Sequence, residues 1–154
     1  MPDTAPPRGY VLSFDFGLRR IGVAVGQTTT CTANSLATIA HHDVPDWIAI
    51  DRLVGEWQPQ LFVIGLPLDQ TGEETGMSRA ARAFGRALTE RHGRECVYVD
   101  ERLSSHAAQG RFAELRAEGS LKRKHASGLD AMAAQIVLEN WLQSFDRTRT
   151  ERHD

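Results

Sequence analysis

The sequence predicts an α/β domain: a mixed five-stranded sheet, its first three strands antiparallel, flanked by helices. Three observations lead there. Residues 10–27 read as "YVLSFDF", "GLRR" and "IGVAVGQ", two strands joined by a turn and therefore a hairpin. Residues 61–67, "LFVIGLP", form a continuous apolar run that ends in Gly and Pro, the pattern of a parallel strand covered on both faces. After the hairpin, strand-like and helix-like segments alternate, which implies a mixed sheet with helices against it.

The elements follow in order. In the first strand, Tyr10, Leu12, Phe14 and Phe16 point one way and Val11, Ser13 and Asp15 the other. The second strand covers 21–27, and a short third one lies around Ser35–Ala40. A helix is expected after Asp43, with Pro45 in its first turn and Val44, Trp47, Ile48, Val54 and Trp57 near helical spacing. Strand 61–67 comes next, then the polar loop "LDQTGEETG". A helix over 77–92 buries Ala81, Phe84 and Leu88 and stops at Gly93. "ECVYV" (95–99) is the fifth strand. A helix over 104–118 buries Ala108, Phe112 and Leu115, and "EGSLKRKHASG" is a basic loop. The last helix, 128–144, buries Leu129, Met132, Ala133, Ile136 and Val137. The expected organisation is a disordered lead-in over 1–8, a single domain over 9–144 and a charged flexible tail over 145–154.

Bulk properties narrow the function. A chain of 154 residues suffices for one domain with a sizeable core. No apolar stretch approaches the ~20 residues that span a bilayer, and "MPDTAPPRGY" lacks the apolar segment of a signal peptide. A cytoplasmic protein without membrane contact is expected. Cys31 and Cys96 show no C-x-x-C spacing and read as idle or buried thiols. The six histidines form no zinc signature. A net charge of −2 argues against nonspecific coating of nucleic acid. Yet residues 102–124 hold six Lys and Arg against two Glu. A nuclease can combine such a patch with an acidic centre; a solvated helix and loop would also account for it.

Acids fall at three element ends. Asp15 closes the first strand, Asp100 and Glu101 close the fifth, and Asp130 lies in the first turn of the last helix. Ligands of open sheets bind beyond the carboxyl ends of the strands, so these groups converge on one edge. "DFG" at 15–17 also suits the metal-holding aspartate of a protein kinase, but the other kinase motifs are absent and the chain is too short for two lobes. Two carboxylates about 4 Å apart repel by ~4 kcal/mol at an effective dielectric near 20, and a divalent cation removes that cost. Oxygen ligands favour Mg²⁺ or Mn²⁺ over Zn²⁺, and two such ions support phosphodiester cleavage. Each acid also has a structural role open to it. Asp15 suits the following turn; Asp100 or Glu101 suits a helix cap or a pair with Arg102. "SGLD" (127–130) is a helix-start pattern. Asp130 nevertheless shares a helix face with Ala134, Val137 and Trp141.

Four stretches in this order, "DFGLRRIGVAVG", "VIGLPLDQTG", "VDERLSS" and "LDAMAAQIVLENWL", resemble the YqgF family of bacterial proteins over roughly residues 10–142. That family is described as Holliday-junction-resolvase-like and as nucleases of pre-16S rRNA. The resemblance implies a ribonuclease-H-like fold that presents acids to metal ions and a phosphate. Through it, Asp15 matches the first-strand acid, Glu101 the acid of the D-E-R motif and Asp130 the final-helix acid. These are the expected catalytic and metal-binding residues, with Asp100 a fourth ligand or a neighbour of the ligands. Two ions of Mg²⁺ or Mn²⁺ are the implied cofactors. Arg102 suits a phosphate contact through its planar fork, and Arg20, Lys124 and Arg79 are further candidate substrate contacts. Arg79, Arg82 and Arg86 make a basic stripe, read either as a phosphate track or as a solvated face. The "GLPLDQTGEETG" loop is either a groove wall or a plain surface loop. The implied function is a metal-dependent nuclease in 5′-end processing of pre-16S rRNA during ribosome biogenesis, with nucleic acid (precursor rRNA or branched DNA) as partner, working as a monomer or weak homodimer. The alternatives are a Holliday junction resolvase and a non-catalytic RNA-binding ribosome-assembly factor. The acid-glycine hairpin also resembles the phosphate loop of the actin and sugar-kinase fold, which needs a second lobe.

Overall fold

The computed structural model describes residues 9–17, 19–41, 44–101 and 126–152. Its strands are β1 (Tyr10–Phe16), β2 (Arg20–Gln27), β3 (Thr32–Ala40), β4 (Leu61–Leu66) and β5 (Cys96–Asp100), and its helices α1 (Trp47–Trp57), α2 (Gly76–His92) and α3 (Ala126–Arg152). The sheet order is β3-β2-β1-β4-β5. β1 pairs antiparallel with β2, and β2 with β3; β1–β4 and β4–β5 are parallel. This is the mixed sheet that the hairpin and the later alternation predict.

Alternation in β1 sorts the core into two layers. Leu12 and Phe14 pack with Ile21, Val23, Phe62 and Ile64 beneath α1 and α2. Val11 packs on the other face with Ala24, Val63, Ala134, Leu138 and Trp141 beneath α3. Fully burying a side chain of the Leu or Phe kind contributes about 1.5–3 kcal/mol, so both faces of β1 hold the sheet to its helices. In the first layer Phe84 is the hub, with ring centroids 5.4 Å from Phe14, 5.1 Å from Phe16 and 5.7 Å from Trp47.

Several boundaries differ from expectation for identifiable reasons. β3 starts at Thr32 and pairs with β2 along its length, with a register irregularity at Val23/Ala24. Its outward polar residues hide that length in the sequence. Pro45 does not open α1; it bridges His41. Asp46 caps the helix instead, its carboxylate accepting from Ala49 N at 3.2 Å. β5 includes Asp100, paired with Leu66. α3 starts at Ala126 and runs to Arg152, past the expected 128–144 at both ends and into the expected tail. Propagating a formed helix adds one bond per residue and needs no apolar face. Met132 and Ala133 are only half-buried, whereas Ala134, Leu138, Trp141 and Leu142 share the burial with Ile136 and Val137. The helix expected over 104–118 and most of the basic loop lie outside the described residues. Among the described residues, no helix is long and apolar enough to cross a membrane.

Candidate active site

Three local rules bring Asp15, Glu101 and Asp130 to one edge. Asp15 is the penultimate residue of β1, on the α3 face with Val11 and Ser13. Its cross-strand partner is Gly22 of β2. A Cβ at Gly22 would fall inside the radius of the Asp130 carbonyl oxygen and 2.9 Å from Ala131 N. Glycine opposite Asp15 therefore lets the start of α3 descend onto the sheet. Glu101 follows β5 directly. Along β5, Cys96 and Tyr98 pack in the α2 layer and Val97 and Val99 in the α3 layer. The same alternation carries Asp100 to the α2 side and Glu101 to the α3 side. The Glu101 carboxyl lies over Gly65 of β4, where a Cβ would stand 2.5 Å from its Oε1 and 2.9 Å from Val137 Cγ2.

Asp15 and Glu101 are joined by a hydrogen bond between their side chains. Two carboxyl groups share such a bond only when one keeps its proton. Burial pushes Glu101 up first, and the bond to Asp15 and the charges of Asp15 and Asp100 carry it to about 9. Burial also raises Asp15; the bond from Glu101 opposes that and the charge of Asp130 reinforces it. Both carboxyls are thus pushed toward the protonated form, and the pair holds a proton between them. Asp130 is electrostatically part of the group and is paired: Arg20 Nε donates to its Oδ2 at 2.7 Å, with the two side chains 45% and 29% exposed.

The support around this edge includes residues that sequence reasoning passed over. Ser13 is fully buried, and its hydroxyl donates to Ala134 O at 2.6 Å, one turn beyond Asp130. That bond fixes the height of α3 over β1. His41 Nδ1 donates to Gly17 O at 2.9 Å, and Gly17 N donates to Arg20 O at 3.0 Å, so the β1–β2 turn and the start of Arg20 are pinned. The loop after β4 is built rather than plain. Asp69 Oδ1 accepts from Thr71 N, Thr71 Oγ1 and Glu73 N at 2.9, 2.6 and 2.9 Å. The Thr71 hydroxyl, helped by backbone donors, holds the Asp69 carboxyl below its ordinary range. Thr75 and Ser78 form a reciprocal cap at the start of α2. Buried polar Ser13 and the two glycines were the available signals in the sequence; their meaning depends on which residues face them.

Of the remaining candidates among the described residues, Arg20 reaches this edge and Arg79 does not. Arg79 is exposed on α2, which covers the sheet face opposite Asp15. Arg82 of the same stripe pairs with Glu74 and lies 4.9 Å from the Tyr98 ring centroid, a structural engagement. Arg20, expected to meet substrate, is engaged by Asp130. Arg102 and Lys124 lie outside the described residues. Among the described residues, no three His, Cys, Asp or Glu side chains stand in the arrangement of a formed metal site. The donor set itself suits Mg²⁺ or Mn²⁺: it is made of carboxyl oxygens, and burial, with the neighbouring carboxylates adding to it, raises Glu101 above the ordinary carboxylate range.

The fold and this edge define the class. The sheet order, with carboxyl groups collected from β1, the end of β5 and the helix packed across them, is that of a ribonuclease-H-like α/β protein. Two solved structures share the fold. The T. thermophilus RuvC in complex with a Holliday junction substrate superposes with a TM-score of 0.53 at 13% identity, covering 89% of this chain and 95% of that one. The yeast mitochondrial Holliday junction resolvase Ydc2 superposes with a TM-score of 0.55 at 10% identity, over 97% and 84%. Residues 9–144 match the RuvX family, described as Holliday junction resolvase, and the chain belongs to that family, also called YqgF. A protein of Hydrogenovibrio crunogenus provisionally named pre-16S rRNA nuclease is 46% identical over 142 residues, 92% of this chain and 98% of that protein. Proteins given the same provisional name in Xanthomonas euvesicatoria and Nitrosococcus oceani are 45% and 46% identical, over 92% of this chain and 92% and 90% of theirs. The names of family and relatives alike are those of nucleases, enzymes that cut phosphodiester bonds.

Proposed function

We propose that this chain is a metal-dependent nuclease that hydrolyses phosphodiester bonds in the 5′-end processing of pre-16S rRNA, in the cytoplasm. One feature supports the reading most: the half-buried carboxyl groups of Asp15, from β1, and Glu101, at the end of β5, lie against each other beside Asp130 of α3, and burial raises both. Relatives named for this RNA are 45–46% identical over most of the chain, whereas the resolvases share its fold at 10–13%. In this reading Asp15, Glu101 and Asp130 hold two ions of Mg²⁺ or Mn²⁺. Asp100 acts on Glu101 through its charge. When bound, the cations supply Lewis acidity to the phosphodiester and to its attacking water.

The chain's own residues do the rest. Glu101 releases the proton it shares with Asp15 as the site fills, because a ligating carboxylate must be deprotonated. Gly22 and Gly65 remove side chains that would separate the acids, and Ser13 holds α3 at the height that keeps Asp130 near Asp15. Arg102 and Lys124 are the proposed phosphate contacts.

The test is cleavage of pre-16S rRNA and of a four-way DNA junction by wild type and Asp15→Asn, with Mg²⁺, Mn²⁺ or EDTA. Wild type should trim the RNA with either cation, and EDTA or Asp15→Asn should slow it by at least about 100-fold. The family's description favours a second reading, junction resolution. Cutting of the junction by a two-fold dimer, read by gel filtration, would support it. RNA binding that survives Asp15→Asn, with no cutting of either substrate, would overturn both in favour of an assembly factor.

A further inference from the structure

Arg20 stands where a cation would compete with it. Residues 20, 22, 24 and 26 of β2 share one face, and Ala24 packs in the α3 layer. Gly22 lies against the backbone of Asp130. Arg20 is therefore aimed at the start of α3 from one step back along the same strand face. Its backbone is held by the hairpin bond to Gly17 and by pairing with Ala40, so the side chain is the part free to swing. The contact is a single Nε–Oδ2 bond of 2.7 Å to a residue 110 positions away. With 45% of Arg20 exposed, such a pair shifts the folding equilibrium by a factor of about five at most. It is poorly placed to serve as a structural clamp.

Resting on the metal-binding reading above, we propose that Arg20 is an internal competitor for the divalent cation. Its guanidinium occupies Asp130, and cation binding displaces it toward solvent. A permanent positive charge on one ligand sets how much cation is needed to fill the site. Arginine suits this part because it keeps its charge at every physiological pH.

The test is calorimetric titration of the folded protein with Mn²⁺ alone, without nucleic acid. Arg20→Gln should bind Mn²⁺ about three- to ten-fold more tightly than wild type, the change expected from removing a partly solvated unit charge beside the ion. Arg20→Lys, which keeps the charge, should stay within about two-fold of wild type. In an Asp130→Asn background the gain from Arg20→Gln should fall below about two-fold, because the shared partner is gone. Circular dichroism confirms that each variant is folded. Equal or weaker Mn²⁺ binding by Arg20→Gln would overturn the proposal, as would a full gain without the Asp130 carboxylate. Absence of Mn²⁺ binding by wild type, or binding unaffected by Asp15→Asn, would instead remove the metal site on which the proposal rests.

Discussion

Replacing Glu101 by Gln should stabilise the metal-free protein above neutrality and flatten its response to pH. Glu101 titrates at about 9 in the fold against an ordinary 4.5. An acid whose pKa rises on folding keeps a proton that the unfolded chain has already lost. Stability is thus greatest below the unfolded value and drains away as pH rises from about 4.5 to about 9. Inside that window the folded chain holds one extra proton, and the unfolding free energy falls by about 1.4 kcal/mol per pH unit. From about pH 6 to about pH 8 the full effect is about 2.7 kcal/mol. Water reaching the partly exposed carboxyl screens its charge, which leaves about 1.5–2.5 kcal/mol. The Gln amide can still donate to Asp15, so the bond survives while the titration disappears. Urea unfolding of both proteins in EDTA, at several pH values across this range, gives the two slopes. Parallel curves, differing by less than about 0.5 kcal/mol over the range, would refute the shared proton.

Two further predictions concern the scaffold. Gly22→Ala places a Cβ against the backbone of Asp130 and Ala131, where no flexible side-chain tip can give way. It should lower stability by about 3 kcal/mol, read by thermal melting, and should lift Asp130 away from Asp15. Phe84→Ala removes the ring that touches Phe14, Phe16 and Trp47 and should cost about 3–5 kcal/mol in urea unfolding, with no change in the pH slope assigned to Glu101.

Much of the architecture is legible in the sequence because period-2 alternation survives in β1 and the central run at 61–67 has no polar interruption. The assignment of Asp15 to the face opposite Leu12 and Phe14 follows from that alternation and holds in the structure. Asp130 is legible for the parallel reason that Ala134, Val137 and Trp141 repeat on one helix face. The rest depends on partners distant in the chain. Gly22 looks like any strand glycine until Asp130 is seen above it, and Ser13 looks like a polar lapse until Ala134 O is found at 2.6 Å. The faces on which Asp100 and Glu101 fall depend on where the fifth strand ends. A one-residue shift in β5, from 95–99 to Cys96–Asp100, leaves Asp100 inside the ladder and Glu101 just past it. Pro45 failed as a helix opener because Asp46, next in line, offers a carboxylate to Ala49 N. Nothing local marks the pairing of Arg20 with Asp130, 110 residues away.

Helix α3 has a consequence for the life of the molecule. It supplies one wall of the interior and also Asp130, so the packing of the sheet and the gathering of the three acids arise together. During synthesis Asp15 and Glu101 emerge first and Asp130 last. A ribosome-bound or truncated chain thus carries the ingredients apart. Until that helix docks, the sheet lacks one covering wall and the three carboxyl groups are not assembled.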